Sequence, residues 1–160
     1  MNPRNGQSSS IDSSGEKQLI KPTVADVMTR KVITLRPQDN LVDAFNRISN
    51  HRIHHLLIVD LDGRLIGVVS DRDILWALPN VASWHTKRMS EIMTPNPVTV
   101  TAETPIVAAV AKLITKRINC LPVLSGDGSI CGIVTSTDLL KAYHALLKSL
   151  NKIPTSPHRL

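Results

Sequence analysis

Asp62-Gly63-Arg64-Leu65-Ile66-Gly67-Val68-Val69-Ser70-Asp71-Arg72-Asp73 reads as a turn, a strand and the start of a helix. Asp-Gly supplies the turn, the apolar, β-branched run supplies the strand, and Ser70 stands where a hydroxyl can cap a helix beginning at Asp71. Sixty-five residues later the chain writes the same sentence again, Asp127-Gly128-Ser129-Ile130-Cys131-Gly132-Ile133-Val134-Thr135-Ser136-Thr137-Asp138. The offset holds outward from there without a gap. Met28-Thr29 falls on Met93-Thr94, Val42 and Ala44 on Val107 and Ala109, Arg52-Ile53 on Arg117-Ile118, and Leu75 and Ala77 on Leu140 and Ala142. The window Val24–Ala77 holds 15 identities in 54 residues, so the chain carries two copies of one unit.

Each copy has the same local reading. Val24–Met28 and Met89–Met93 are single helical turns, and Val32–Leu35 and Val98–Val100 are short strands. Leu41, Ala44, Phe45 and Ile48 keep helical spacing, as do Ile106, Ala109, Val110 and Leu113, with Pro105 suited to a first turn. Leu56–Val59 and Leu121–Leu124 are buried strands, Leu65–Val69 and Ile130–Val134 return strands, and Asp71–Leu78 and Ser136–Leu147 second helices. The unit is β-α-β-β-α, an α/β (α+β) fold, at 22–78 and 89–148 with a linker at 79–88. Neither unit covers both faces of so small a sheet, so the halves are expected to pack on each other. Residues 1–20, rich in Ser, Asn, Gln and Gly, read as a disordered tail, and 151–160, with Pro154 and Pro157, as a second.

Composition narrows the function. The chain of 160 residues has a net charge of +6, of which the two ends contribute half, leaving +3 for 22–150. With Phe45, Trp76, Trp84 and Tyr143 as its only aromatics, it has few platforms for stacking bases, and a nucleic-acid partner is not expected. No apolar run is long enough to cross a membrane and Met1–Ser10 is too polar for a secretory signal, so the default location is the cytoplasm. Cys120 and Cys131 form no metal or disulfide pattern and read as small hydrophobes. His51, His54 and His55 invite a metal reading, but the helix ends near Asn50–Arg52 and no carboxylate completes a set, so no metal is expected. No nucleophile, base and acid are grouped, so an enzyme is not expected either.

Both repeats resemble cystathionine-β-synthase (CBS) domains, and the pair resembles a Bateman module over roughly residues 22–148. The carrying motifs are Val27-Met28-Thr29 and Ile92-Met93-Thr94 together with the two turn-strand-helix stretches. The resemblance implies pseudo-two-fold packing around a central cleft. It implies a stand-alone regulatory module, working as a homodimer, that binds an adenine nucleotide (AMP, ADP or ATP) or S-adenosylmethionine and signals to a protein effector. A ligand-independent docking scaffold is the alternative. By the same resemblance one site takes Ile33, Thr34, Arg52, Ile53, His54, His55, Ser70, Asp71, Arg72 and Asp73. The other takes Val98, Thr99, Ile118, Asn119, Cys120, Pro122, Thr135, Ser136, Thr137 and Asp138.

The residues themselves favour the same chemistry. Free amides and the dipole at a helix start attract phosphate, Arg72 can fork onto one, and an Asp three residues after the cap can accept ribose hydroxyls. Each has a plainer reading: Asp73 and Asp138 as caps, Arg72 as a solvated charge, Met28 and Met93 as core, Gly67 and Gly132 as bulges or close contacts. Thr137 stands in place of Arg72, so the first site is expected to be the better phosphate binder. Trp76 and Trp84, flanking the linker, suit either core cover or a dimer contact.

Overall fold

The computed structural model describes residues 21–78 and 84–151. The expected tails, apart from Asn151, and residues 79–83 of the expected linker lie outside the described residues.

The first half runs from β1 (Thr34–Leu35) through α1 (Leu41–His51), β2 (His55–Val59) and β3 (Leu65–Ser70) to α2 (Asp71–Ala77). The second runs through α3 (Met89–Ile92), β4 (Thr94–Pro95), β5 (Val100–Thr101), α4 (Ile106–Lys116), β6 (Cys120–Leu124) and β7 (Ile130–Thr135) to α5 (Ser136–Leu150). In each half a parallel pair (β1 with β2, β5 with β6) is bridged by a helix, as parallel strands require, and an antiparallel hairpin follows. The hairpins turn on Gly63 and Gly128, at φ +81° and +84°, where a side chain would be strained. In the second turn the Asp127 carboxylate accepts from Ser125 Oγ, Ser129 N and Ser129 Oγ, which lowers its pKa to about 2.

The leading turns do not stay with their own repeats. The 3-10 turn Val24–Asp26 is tied to the second half by Val24 N–H to Thr104 O and Ala25 N–H to Ala102 O, both 2.9 Å. Val24 and Met28 are buried with Val100, Ala109, Leu121 and Val134 of that half. The reciprocal exchange has Met89 N–H on Asp39 O at 2.9 Å and Ser90 N–H on Pro37 O at 3.0 Å. Met89, fully buried, joins Leu35, Leu41, Leu56 and Val69 in the first-half core, with Ile92 and Met93 against it. Thr29 exchanges two 2.9 Å hydrogen bonds with Ile133 on β7, and β4 adds itself to the edge of β3. A third cluster, Leu57, Cys120 and Ile133, seals the contact between the halves. The expected mutual packing is therefore present, and it is an exchange as well as a contact.

Gly67 and Gly132 fit both plain readings. Each lies beside a register shift in its hairpin, and each faces the methionine swapped in from the other repeat. A Cβ on Gly67 would stand 2.5 Å from Met93 Sδ. One on Gly132 would stand 2.9 Å from Met28 Sδ and 3.0 Å from the Thr29 carbonyl oxygen. A thioether can swing aside and a bridged carbonyl cannot. Gly132→Ala is expected to destabilise the fold by about 1–3 kcal/mol, and Gly67→Ala by less. Urea midpoints of the two variants check the order.

Both short strands begin later than the β-branched runs predict, β1 at Thr34 and β5 at Val100. Val98 and Thr99 are outside β5, although their mates Ile33 and Thr34 sit against β2 with Leu57 N–H on Ile33 O at 3.2 Å. The residue opposite Thr99 is Pro122, which has no N–H to give. The first parallel pairing is lost and the ladder starts at Val100↔Val123. Two helix ends also differ: α2 stops at Ala77, and α5 continues to Leu150, three residues beyond the expected end. Trp84 covers the first-half core, its indole N–H on Leu78 O at 3.2 Å, while Trp76 is 80% exposed on α2.

Candidate functional site

A cavity of about 800 Å³ opens between the halves and takes its walls from both. Its floor is apolar: Leu57 and Val68 from one hairpin, Cys120 and Ile133 from the other, with Val32 alongside. Burial pushes the Cys120 thiol up to about 12, with the Asp73 carboxylate adding to the shift, so it stays protonated and packs as a small hydrophobe.

The rim is polar and follows the repeat. Each half brings a strand end and a helix start to the cleft. Ser70 Oγ accepts from Asp73 N–H at 3.2 Å, while Asp73 Oδ2 accepts from Ser70 N–H at 2.8 Å and Ser70 Oγ–H at 2.6 Å. Thr135 and Asp138 repeat this reciprocal capping box at 3.3, 2.9 and 2.7 Å. The two aspartates thus act as caps in this structure, and the remaining oxygens differ. Asp138 Oδ1 accepts from Thr29 Oγ at 3.3 Å, whereas Asp73 Oδ1 has no hydrogen-bond partner among the described residues. Helix starts are tied to the preceding loops by Asp71 N–H to His54 O and Ser136 N–H to Asn119 O. His54 Nδ1 also meets Asp71 Oδ2 at 2.8 Å.

Arg52 and Arg117 end α1 and α4 in the left-handed region, φ 51° and 53°, each with its N–H on a carbonyl of the last turn. Glycine is the usual residue there, and a side chain costs roughly 1–2 kcal/mol. Both repeats place arginine at this corner, on the rim of the cleft.

His55 is half-buried beside the cleft. Burial disfavours its imidazolium and lowers its pKa, with Asp71 and Asp73 partly opposing and His54 assisting. The unfolded chain takes up a proton near ~6.5, before folded His55 does. The stability that neutral His55 contributes is therefore complete above that pH and lost as pH falls through the folded value. His55→Asn is expected to flatten the loss of thermal midpoint between pH 7.5 and 5.5, measured against wild type.

Of the residues the resemblance assigned to the two sites, Ile33, Arg52, Ile53, His54, His55, Ser70, Asp71, Arg72 and Asp73 line the cleft, as do Val98, Ile118, Asn119, Cys120, Thr135, Ser136, Thr137 and Asp138. Both sets line the one cleft between the repeats, as the resemblance implies. Thr34, Thr99 and Pro122 do not line it: Thr34 is exposed on β1, Thr99 is half-buried before β5, and Pro122 is fully buried in β6. Arg117, in the segment before the middle strand that the resemblance places at the pocket, also lines the cleft, while the sequence reading missed Thr29 and Lys31, Thr94, Asn96 and Pro97, and Lys141. Arg117 was visible as the repeat mate of Arg52, and Lys141 lies one helical turn beyond Thr137. The stretches around Lys31 and Asn96 carry no local signal, because only the exchange of leading turns draws them across the cleft. No group of three or more His, Cys, Asp or Glu fit to hold a metal forms among the described residues. No helix there is long and apolar enough to cross a membrane.

Two α/β repeats, interlocked by exchanged turns and closed over one polar cleft, define a tandem-repeat architecture. The CBS domain description fits residues 24–80 and again 89–145, and the chain belongs to the CBS domain family. A CBS domain-containing protein of Dictyostelium discoideum is 32% identical over 145 residues, 84% of this chain and 98% of its own length. The L-aspartate semialdehyde sulfurtransferase of Methanocaldococcus jannaschii is 31% identical over 75% of this chain, which spans only 23% of that enzyme. The CBS domain pair of protein MJ0100, crystallised with 5′-methylthioadenosine and S-adenosyl-L-methionine, superposes with a TM-score of 0.72 at 30% identity, covering 78% of this chain and 98% of its own. CBSX2 of Arabidopsis thaliana in complex with AMP does so with 0.68 at 26% identity, covering 78% and 98%.

Proposed function

We propose that this chain is a regulatory module, without catalysis of its own, that binds an adenosyl ligand in the cleft between its repeats. The observation that carries this is the pair of capped helix starts, each with an aspartate three residues on, facing one cavity from opposite halves. Amides at such a start suit phosphate, and the free Asp73 Oδ1 suits a ribose hydroxyl. The Val98 carbonyl, which receives no hydrogen bond from Pro122, is an acceptor for the amino group of adenine. Complexes of related pairs with AMP, S-adenosyl-L-methionine and 5′-methylthioadenosine favour the adenosyl class. The first half is the preferred seat of the ribose, since Asp138 already serves Thr29.

The signal follows from the exchanged turns. The segments after Met28 and Met93 cross from one half to the other and line the cavity, so a ligand that touches Thr29, Lys31 or Asn96 favours one arrangement of the halves over another. Exposed Leu75, Trp76, Leu140 and Tyr143 on α2 and α5 offer the apolar surface for a homodimer and for the effector that reads the arrangement. Calorimetric titration of the full chain with AMP, ADP, ATP and S-adenosylmethionine tests the reading. Micromolar binding of one of them supports it. A folded protein that binds none is a docking platform instead.

A further inference from the structure

The apolar cover of the two cores matches except at one place. Each partly buried apolar residue packed on the first-half core has its repeat mate in the second-half core, apart from Ala77, Leu78 and Trp84. Two of these meet directly. The chain leaves α2 at Leu78 and comes back to lay Trp84 over that helix end, its indole N–H on Leu78 O at 3.2 Å. The mates of the three are Ala142, Tyr143 and Leu19. On α5 the corresponding turn lies open among the described residues, with Tyr143 58% and Leu146 54% exposed. Tyr143, Leu146 and Leu150 recur at helical spacing, so they form one apolar stripe.

The chain enters both halves by the same path. Met89 N–H on Asp39 O and Ser90 N–H on Pro37 O in the first half are matched by Val24 N–H on Thr104 O and Ala25 N–H on Ala102 O in the second. Arg88 bridges to Asn40, and its mate Thr23 bridges to Pro105, the mate of Asn40. Ile106 N–H on Pro22 O, at 3.0 Å, holds the incoming chain to the start of α4 one residue farther back. Trp84 stands four residues before Arg88. Leu19 stands four before Thr23 and two before the first described residue, so an equal length of chain leads from the same entry point. The sizes are complementary as well. The first half sets Trp84 of the incoming chain against Leu78 of the helix end, and the second offers Leu19 against Tyr143, so the aromatic ring changes sides while the pair keeps one large and one smaller apolar side chain.

We propose that Leu19, with Ile20 beside it, docks on the Tyr143 turn of α5 and covers the second-half core as Trp84 covers the first. The occupant of this face is thus the chain's own N-terminal segment, held as a strap. It covers Tyr143 and leaves Leu75, Trp76 and Leu140 open, so a partner that needs Tyr143 competes with the strap for it. The extra turns of α5 lengthen the seat, because no linker follows this helix to end it where α2 ends.

The test uses the full chain with labelled leucine and isoleucine methyls and tyrosine rings. A nuclear Overhauser contact between the Leu19 methyls and the Tyr143 ring within one chain is expected. A ring touched by a second copy, seen in a half-labelled sample, or touched by neither Leu19 nor Ile20, overturns the docking. Leu19→Ala is expected to lower the urea midpoint and to quicken amide exchange first in α5 and β7, by about fivefold or more. Ile11→Ala, in the same segment, is expected to match wild type. Leu19→Ala indistinguishable from wild type, or quickening first in β2 and β3, overturns the inference too. No readout here needs a ligand, so its failure leaves the adenosyl reading standing.

Discussion

Asp73→Ala is expected to weaken adenosyl ligands by about 10- to 150-fold, the range for losing a hydrogen bond to a charged group, while inorganic phosphate binding stays within about twofold by the same arithmetic. The asymmetry follows from where the oxygens point their capacity. Oδ2 is consumed by the Ser70 amide and hydroxyl, and Oδ1 has no partner among the described residues. The helix-start amides and Arg72, which suit phosphate, survive the substitution. Because Asp73 also caps α2, the alanine variant is expected to lose about 0.5–2 kcal/mol of stability. Asp73→Asn separates the effects, since it keeps an acceptor for Ser70 and loses the charge. Asp138→Ala is expected to cost less affinity, its Oδ1 being already held by Thr29. Calorimetry with AMP and with phosphate checks all three variants, and equal losses of both ligands in Asp73→Ala would remove the ribose role.

The second large effect concerns the exchanged turns. Met89 is fully buried, and its neighbours Leu35, Leu41, Leu56 and Val69 belong to the first repeat. Met89→Ala is expected to lower global stability by about 2–5 kcal/mol, the transfer and cavity cost of such a truncation. Its location is the sharper test. Amide hydrogen exchange is expected to quicken first in β2 and β3, in the other repeat from the substitution. Quickening confined to β6 and β7 would mean that the turn packs within its own repeat. The counterpart, Val24→Ala, is expected to loosen β6 and β7, since Val24 lies with Leu121 and Val134.

Much of this was legible in the chain. The Asp-Gly turns, the strand pairs around Gly67 and Gly132, and the caps at Ser70 and Thr135 are local: each depends on residues within a few positions, and the repeat states each of them twice. The consequence of Pro122 was equally local, since a residue without an N–H in a central strand must cost a ladder bond. Its repeat mate, Leu57, keeps the N–H and bonds the Ile33 carbonyl. Trp76 and Trp84 were not separable from sequence, because the same indole serves equally as core cover or as an exposed contact.

By itself the sequence determined a doubled α/β unit, the order of its main elements, and the two helix starts capped by Ser70 and Thr135. Only the tertiary structure decided that the leading turns change places, and that Lys31 and Lys141 share the walls of the cleft with Arg52, Arg72 and Arg117. The reason is that a short apolar turn such as Val24–Met28 matches the hydrophobic pattern of either copy equally well. Which sheet it covers is set by long-range chain closure and by the fit of Met28 on Gly132 and Met93 on Gly67, contacts that no periodicity within one repeat encodes.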